Sequence, residues 1–127
     1  MITRKADGFA LIDLLFVIAL IGVLSTIALP RMLLARQSAG AASAIGSMRV
    51  IHSSQLTFAL TCGAGFYAPN LTTLGNPPAG AREAFISANL ATANTVTKSG
   101  YVIELDGTPF PGAPGSCNGL AVGEAAQ

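Results

Sequence analysis

Charged side chains are scarce in this chain. Asp, Glu, Lys and Arg together make up 10% of its 127 residues, and the formal net charge is +1. A nucleic acid or a strongly acidic partner is usually met by a basic patch, which needs clustered Lys and Arg. The composition therefore gives no reason to expect either kind of partner.

Residues that carry catalysis or hold metals are also few. The chain has one histidine, His52, and two cysteines, so it lacks the ligands of a structural zinc site. It contains no GxSxG elbow, no glycine-rich phosphate loop and no HExxH motif. Glu104 and Asp106 share a face of a predicted strand, but calcium needs six or more oxygens, which favours a solvated strand edge. We expect no enzyme, no cofactor and no metal.

One long apolar run is present in place of these motifs. Phe9 to Leu29 comprises 21 residues with a single formal charge, Asp13. As a helix this run would reach about 31 Å, close to the hydrocarbon thickness of a bilayer. The rest of the chain is rich in Ala, Gly, Ser and Thr. The sequence therefore predicts one membrane helix and one small domain.

Two ordinary interpretations of this run stay open. A secretory signal peptide would be cut at a small-residue site such as residues 38–42, although the run exceeds the usual 7–15 apolar residues of a signal core. A plain membrane anchor would remain uncut. Arg4 and Lys5 precede the run while Arg31 and Arg36 follow it, so the charge bias does not set a topology.

Neither interpretation accounts for Asp13. A carboxylate near the middle of a bilayer costs about 2.5–3.5 kcal/mol on insertion scales, and a simple anchor gains nothing from it. Cleavage between Gly8 and Phe9 would place a new α-amino group four residues earlier, one helical turn away on the same face. Amine and carboxylate could then neutralise each other within one chain or between neighbours, which would set the register between helices.

The leader MITRKADG, followed by Phe9, a carboxylate at the fifth position after the glycine and the apolar run, resembles the class III signal of type IV pilins and pseudopilins. The resemblance implies cleavage after Gly8 by a prepilin peptidase on the cytoplasmic side. It also implies N-methylation of Phe9 and a filament whose core is a bundle of these helices. The family usually carries glutamate at this fifth position, whereas Asp13 keeps the charge on a side chain one methylene shorter.

Gly22 lies within the apolar run and Pro30 directly follows it. In a helix interior, glycine costs about 1 kcal/mol and proline about 3 kcal/mol relative to alanine. The stretch Gly22–Pro30 is therefore predicted to be the easiest part of the helix to bend or unwind. The resemblance implies local unwinding here when subunits pack, while an ordinary transmembrane kink hydrated by Ser25 and Thr26 stays open.

The resemblance and the residue pattern together predict an α+β fold, in which a long N-terminal helix packs on a small antiparallel sheet. Residues 1–8 would be a cleaved leader, 9–30 the transmembrane or filament-core helix, 31–61 its amphipathic continuation ending near Leu60, and 62–127 the globular domain. Apolar positions at three- and four-residue steps mark the continuation, namely Ile45, Met48, His52, Leu56 and Ala59. The small residues 38–47 would allow another helix or a sheet to approach closely, and a flexible neck is the alternative that stays open.

The globular region is turn-rich. The stretches LTTLG and REAFISANLA predict short helical pieces. GYVIELDGTPF predicts a strand, with Asp106-Gly107 as a hairpin turn, and GLAVG predicts a last short strand. The triplet Asn70–Thr72 is a formal glycosylation sequon of a kind that arises often by chance.

Cys62 and Cys117 enclose 54 residues and are the chain's two cysteines. If the domain lies outside the cytoplasm, a disulfide is the default, and closing this loop would stabilise the fold by about 4 kcal/mol in the chain-entropy model. Two buried free thiols are the alternative.

These expectations combine into a structural subunit. The chain would wait in the bacterial inner membrane with its C-terminal domain outside the cytoplasm, and would then enter an extracellular pilus through its N-terminal helix. Its partners would be copies of itself, the prepilin peptidase and the pilus or secretion assembly machinery. A type II secretion pseudopilin and a minor pilin share the same N-terminal chemistry. A secreted domain and a membrane-anchored domain are the remaining alternatives.

Overall fold

The structure is a computed structural model that describes residues 7–127, with side chains from Ala10 onward. Its first element is helix α1, Asp7–Thr61, which is 55 residues long and contains Pro30. The chain divides into two compact units, one up to Ala39 and one comprising Gly40–Gln127. Helix α1 contributes residues to both units.

The first unit consists of the apolar part of α1. Leu and Ala are its commonest residues, and both are strong helix formers. The hydroxyls of Ser25 and Thr26 donate to the carbonyls of Ile21 and Val23, both at 2.7 Å, so that these polar groups are satisfied within the helix. Among the described residues, one helix is long and apolar enough to cross a membrane, and its most apolar window has a mean hydropathy of 2.6.

Helix α1 ends at Thr61, as predicted. The amides of Cys62 and Gly63 both donate to the carbonyl of Phe58, at 2.8 and 2.7 Å. Ala64 and Gly65 then take positive φ angles of 48° and 95°, which turn the chain away from the helix axis.

The two predicted helical pieces are present. Helix α2, Leu71–Leu74, is capped by Asn70, whose side-chain oxygen accepts from the amide of Thr73 at 2.9 Å. The second piece is a single 3₁₀ turn, Ala88–Leu90. Leu71, Leu74 and Leu90 are fully buried, so each short element contributes to the core.

The sheet is a two-stranded antiparallel hairpin, β1 (Thr95–Lys98) and β2 (Tyr101–Glu104). Its turn is Ser99-Gly100, with φ angles of 54° and 82°, the combination that a two-residue turn of matching twist requires. The strand predicted around Tyr101 is confirmed. The hairpin turn expected at Asp106-Gly107 is wrong, because β2 already ends at Glu104.

Gly107 serves a different purpose from the predicted turn. Its amide donates to the carbonyl of Pro69 at 2.8 Å, and a Cβ built on it would lie 2.7 Å from the Cβ of Ala126. The segment after β2 therefore packs closely against its neighbours. No partner strand folds back on β2 at this point in the described chain.

The last strand expected over GLAVG is also wrong. Gly119 and Gly123 adopt φ angles of 101° and 87°, which are incompatible with an extended strand, and the stretch forms turns. Strand-like pairing appears further along, where Ala126 forms isolated antiparallel bridges with Tyr67 and with Pro109.

The core lies between the second half of α1, the hairpin and the short helices. Its largest fully buried side chain is Phe58, which meets Phe85 edge to face with ring centroids 5.4 Å apart. The other main apolar members are Ile51, Leu71, Leu74, Ile86, Leu90, Val96 and Ile103. The protein therefore has the predicted α+β fold, a long helix packed on a small antiparallel sheet.

Candidate functional site

Asp13 lies in an apolar surface that surrounds the helix. It is exposed, as are Leu11, Ile12, Leu14 and Leu15 beside it, which leave 55–69% of their surface open. Exposed large apolar side chains continue along this unit to Leu34. A surface of this kind is stable only in lipid or against other apolar side chains, so it is the first candidate functional surface.

The predicted cleavage bond joins Gly8 to Phe9, in the first turn of the described helix. The side chain of Phe9 and residues 1–6 of the predicted leader lie outside the described part of the chain. The closeness of Asp13 to a new amine at Phe9 therefore follows from helical spacing alone, which places positions four residues apart on one face.

Helix α1 is continuous through Gly22 and Pro30. Pro30 has no amide hydrogen, so the carbonyl of Thr26 lacks its usual donor four residues along the helix. Apart from the adjacent turns of the helix backbone, a Cβ added to Gly22 would meet no atom of the described chain within 4 Å, so packing within one chain does not require glycine there. The compliance of this stretch remains a prediction.

The second half of α1 has a buried face that the apolar spacing did not identify. Ser47, Ile51, Ser54, Gln55 and Phe58 face the core. The hydroxyl of Ser54 donates to the carbonyl of Phe85 at 2.7 Å, so a polar residue is accommodated there. The periodic pattern missed this face because polar residues (Ser47, Ser54 and Gln55) alternate there with the apolar Ile51 and Phe58.

The predicted apolar positions instead form an exposed stripe. Ile45, Met48, His52 and Leu56 are all exposed, and only Ala59 of the predicted set is buried. We call the surface formed by Ala41, Ala44, Ile45, Met48, His52, Leu56 and Leu60 the helix stripe. Leu60, at its end, leaves 78% of its surface open.

Two shallow apolar grooves run along the helix stripe. The first, about 620 Å³, lies between the stripe and Tyr101 of β2 and includes Arg49 at its edge. The second, about 400 Å³, lies between Leu56 and Tyr67. His52 lines both grooves, so the single histidine of the chain lies where they meet.

A third pocket, about 540 Å³, is lined by polar side chains, including Glu104, Asp106 and Glu124. The carboxylate of Glu124 accepts from the amide of Ala121 at 2.8 Å, so it already has a protein partner. Residues 7–127 present no cluster of three or more His, Cys, Asp or Glu side chains arranged for a metal ion. The sequon residue Asn70, at the rim of this pocket, has a structural role as the cap of α2.

The predicted disulfide is present. Cys62, directly after α1, is bonded to Cys117 in the C-terminal region. The amide of Cys117 also donates to the carbonyl of Cys62 at 3.2 Å. Next to it, the side-chain amide of Asn118 donates to the carbonyl of Thr73 at 2.7 Å. The C-terminal loop is thus held to the end of α1 and to α2.

No family model, curated protein or solved structure matches this chain. The function must therefore be inferred from the residues of this chain. Those residues are the apolar surface around Asp13, the helix stripe, and the disulfide-bonded unit to which the helix stripe belongs.

Proposed function

We propose that the chain is a pilin-like structural subunit of a type IV pilus-like filament. The observation that carries the proposal is that the two parts of α1 have different surroundings. Between Ala10 and Leu34 the helix exposes apolar side chains on all sides around one carboxylate, Asp13, while its second half is built into a small domain with a disulfide. Such a chain can be held in a membrane and then transferred to a helical polymer.

Assembly in this proposal exchanges lipid contacts for protein contacts. Lipid tails are as apolar as leucine, so close packing and pairing of polar groups must provide the net attraction between helices. Asp13 and the amine of Phe9, freed by cleavage after Gly8, would neutralise each other across neighbouring copies and set their register. The segment Gly22–Pro30 would bend to let the helices pack.

Localisation follows from the same features. The chain would lie in the bacterial inner membrane after processing by a prepilin peptidase and N-methylation of Phe9. Its second unit would lie outside the cytoplasm, where a disulfide such as Cys62–Cys117 persists. Assembly machinery of the pilus or secretion type would then move it into the filament. Its role is structural and not catalytic.

The intact mass of the protein from sheared cell surfaces and from membranes tests this proposal. A chain beginning at Phe9, one methyl group heavier than its sequence, in the sheared fraction is the expected result. The same species confined to membranes would favour a type II secretion pseudopilin or a minor pilin. A chain that keeps Met1 or begins beyond Leu29 would overturn the proposal in favour of an anchored or a secreted domain.

Substitution of Gly8 by valine gives the matched control. The variant should keep its leader and remain in the membrane fraction, because the predicted peptidase site is lost while the apolar helix is unchanged. A Gly8→Val chain that still begins at Phe9 would show that the predicted cleavage signal is not the one used.

A further inference from the structure

One face of α1, at the end of the apolar run, combines three apolar side chains with one charged side chain. Leu29, Met32 and Leu33 leave 61–67% of their surface open, and Arg36 is exposed as well. The four positions follow the three- and four-residue spacing of a single helix face. Together they line a shallow cleft of about 190 Å³, which we call the arginine cleft.

The side chain of Arg36 extends back toward the apolar run. It lines the same cleft as Leu29, which lies about 10 Å earlier along the helix axis. Side chains on a helix lean toward its N-terminus, and a long arginine side chain lays its methylenes over apolar surface while its charge stays in polar surroundings. The guanidinium of Arg36 is therefore closer to the end of the apolar run than its own backbone is.

This guanidinium has no acidic residue near it in the sequence. No Asp or Glu occurs between Asp13 and Glu83. The acidic residues of the first unit are Asp7 and Asp13, and the nearer of the two, Asp13, lies about 35 Å from Arg36 along α1. The first unit of the same chain therefore cannot provide the anion that would pair with Arg36.

Resting on the membrane stage of the proposed function, we propose that the arginine cleft binds one membrane phospholipid of the non-cytoplasmic leaflet. The guanidinium donates to the lipid phosphate, a group with which arginine forms paired, parallel hydrogen bonds. An acyl chain of the same lipid lies against Leu29, Met32 and Leu33. The bilayer provides both halves of this ligand where the apolar run ends, whereas a free phosphate would leave the three apolar side chains uncovered.

The bound phospholipid sets the depth of the subunit before assembly. With the arginine cleft at the level of the headgroups, Leu29 lies near the edge of the hydrocarbon. Asp13 then lies about 24 Å deeper, within roughly 6 Å of the opposite edge. A carboxylate costs less there than at the centre of the bilayer. The contact at Arg36 thus keeps Asp13 close to the cytoplasmic face, where the amine freed at Phe9 would also lie.

Native mass spectrometry of the subunit, extracted from membranes in mild detergent with added phosphatidylglycerol and phosphatidylethanolamine, measures the retained lipid. The wild type should retain one phospholipid, and Arg36→Gln should lower this retention roughly tenfold because a charged donor is lost. Arg36→Lys should retain an intermediate amount, since lysine keeps the charge without the paired geometry. Arg31→Gln is the matched control, because exposed Arg31 lies about 140° away round the helix, and it should retain lipid as the wild type does.

A second pair of variants tests the apolar half of the arginine cleft. Met32→Asn should also lower lipid retention, whereas Leu34→Asn should not, because exposed Leu34 lies on the opposite side of the helix. Excess inorganic phosphate should leave the phospholipid bound. Displacement by inorganic phosphate, together with normal retention in Met32→Asn, would assign Arg36 to a free anion and overturn the lipid site.

The remaining outcomes separate the lipid site from the proposed function. Equal losses of lipid in Arg36→Gln and Arg31→Gln, or no loss in Arg36→Gln, would overturn the lipid site. A lower filament yield from Arg36→Gln with unchanged lipid retention would assign Arg36 to a contact between copies and would overturn it as well. Wild-type subunits that retain the phospholipid through Arg36 but keep Met1 would overturn the proposed function and leave the lipid site standing.

Discussion

Gln55 and Ala68 are joined by two hydrogen bonds in the interior of the second unit. The side-chain nitrogen of Gln55 donates to the carbonyl of Ala68 at 2.8 Å, and its side-chain oxygen accepts from the amide of Ala68, also at 2.8 Å. Both residues are buried. The glutamine thereby provides hydrogen-bond partners for the backbone amide and carbonyl of Ala68, which lies outside α1 and outside any strand. These bonds hold that segment to the helix.

Gln55→Glu should destabilise the second unit because the carboxylate removes the donor to Ala68 and places an acceptor against its carbonyl. The expected loss is about 2–4 kcal/mol of unfolding free energy, from an unsatisfied buried carbonyl and a buried charge. Urea unfolding of the full chain in detergent, followed by near-ultraviolet circular dichroism, measures it. Gln37→Glu is the control, since Gln37 is exposed on the same helix and should lose little. Equal losses in both variants would contradict this account of Gln55.

The long helix and its end could be predicted from sequence because their signals are local. The apolar run indicates the start of α1, and the glycines after Thr61 indicate its end. Leu71–Leu74 was likewise predicted from its short local sequence, LTTLG. Each of these elements is determined by residues within a few positions of one another, which is the range that propensity and capping describe.

The hairpin and the buried helix face depended on contacts that sequence patterns do not contain. Asp106-Gly107 is a strong turn signal, yet Ser99-Gly100 forms the turn because the short run beginning at Thr95 pairs with β2. That run, TVTK, was missed although Thr and Val favour strands. On α1, Ser54 and Gln55 are buried because distant backbone groups satisfy them, so apolar periodicity selected the exposed stripe instead.

Loss of the Cys62–Cys117 disulfide should lower the stability of the second unit by about 4 kcal/mol, since the sequence separation is 55 residues and the unfolded chain would regain that loop entropy. Cys62→Ser, Cys117→Ser and reduction of the wild type should each shift the urea midpoint by a similar amount. The double variant should be no less stable than either single one, because one bond is lost in all cases. An additive double variant would show that the cysteines act through separate packing contacts.

Gly22→Ala and Pro30→Ala should stiffen the first unit and impair assembly. Alanine should favour the helix by about 1 kcal/mol at Gly22 and about 3 kcal/mol at Pro30. The space around Gly22 within the chain accepts a methyl group, so no steric loss is expected in the unassembled subunit. Slower amide hydrogen exchange over residues 22–34 in detergent, together with less sheared filament, is the expected pair of results.

A change in amide hydrogen exchange without a change in filament yield would separate helix stiffness from its effect on assembly. Slower exchange with wild-type amounts of filament would show that bending of this segment is not needed for assembly. Ala19→Gly is a useful opposite control, because it loosens the same helix by about 1 kcal/mol without adding volume. It should speed exchange and leave assembly competent.

Asp13→Ala should leave cleavage after Gly8 largely intact and block polymerisation. The amine freed at Phe9 would then lack its carboxylate partner on the neighbouring copy, and an unpaired charge among apolar helices is costly. Asp13→Asn separates charge from shape, since it keeps nearly the same volume and removes the ion pair, and it should assemble as poorly as alanine. Asp13→Glu keeps the charge with one more methylene and should assemble as the wild type does. Intact mass reports processing for each variant, and the yield of sheared filament reports assembly. Wild-type filament yields from Asp13→Asn would show that the exposed carboxylate does not set the register between copies.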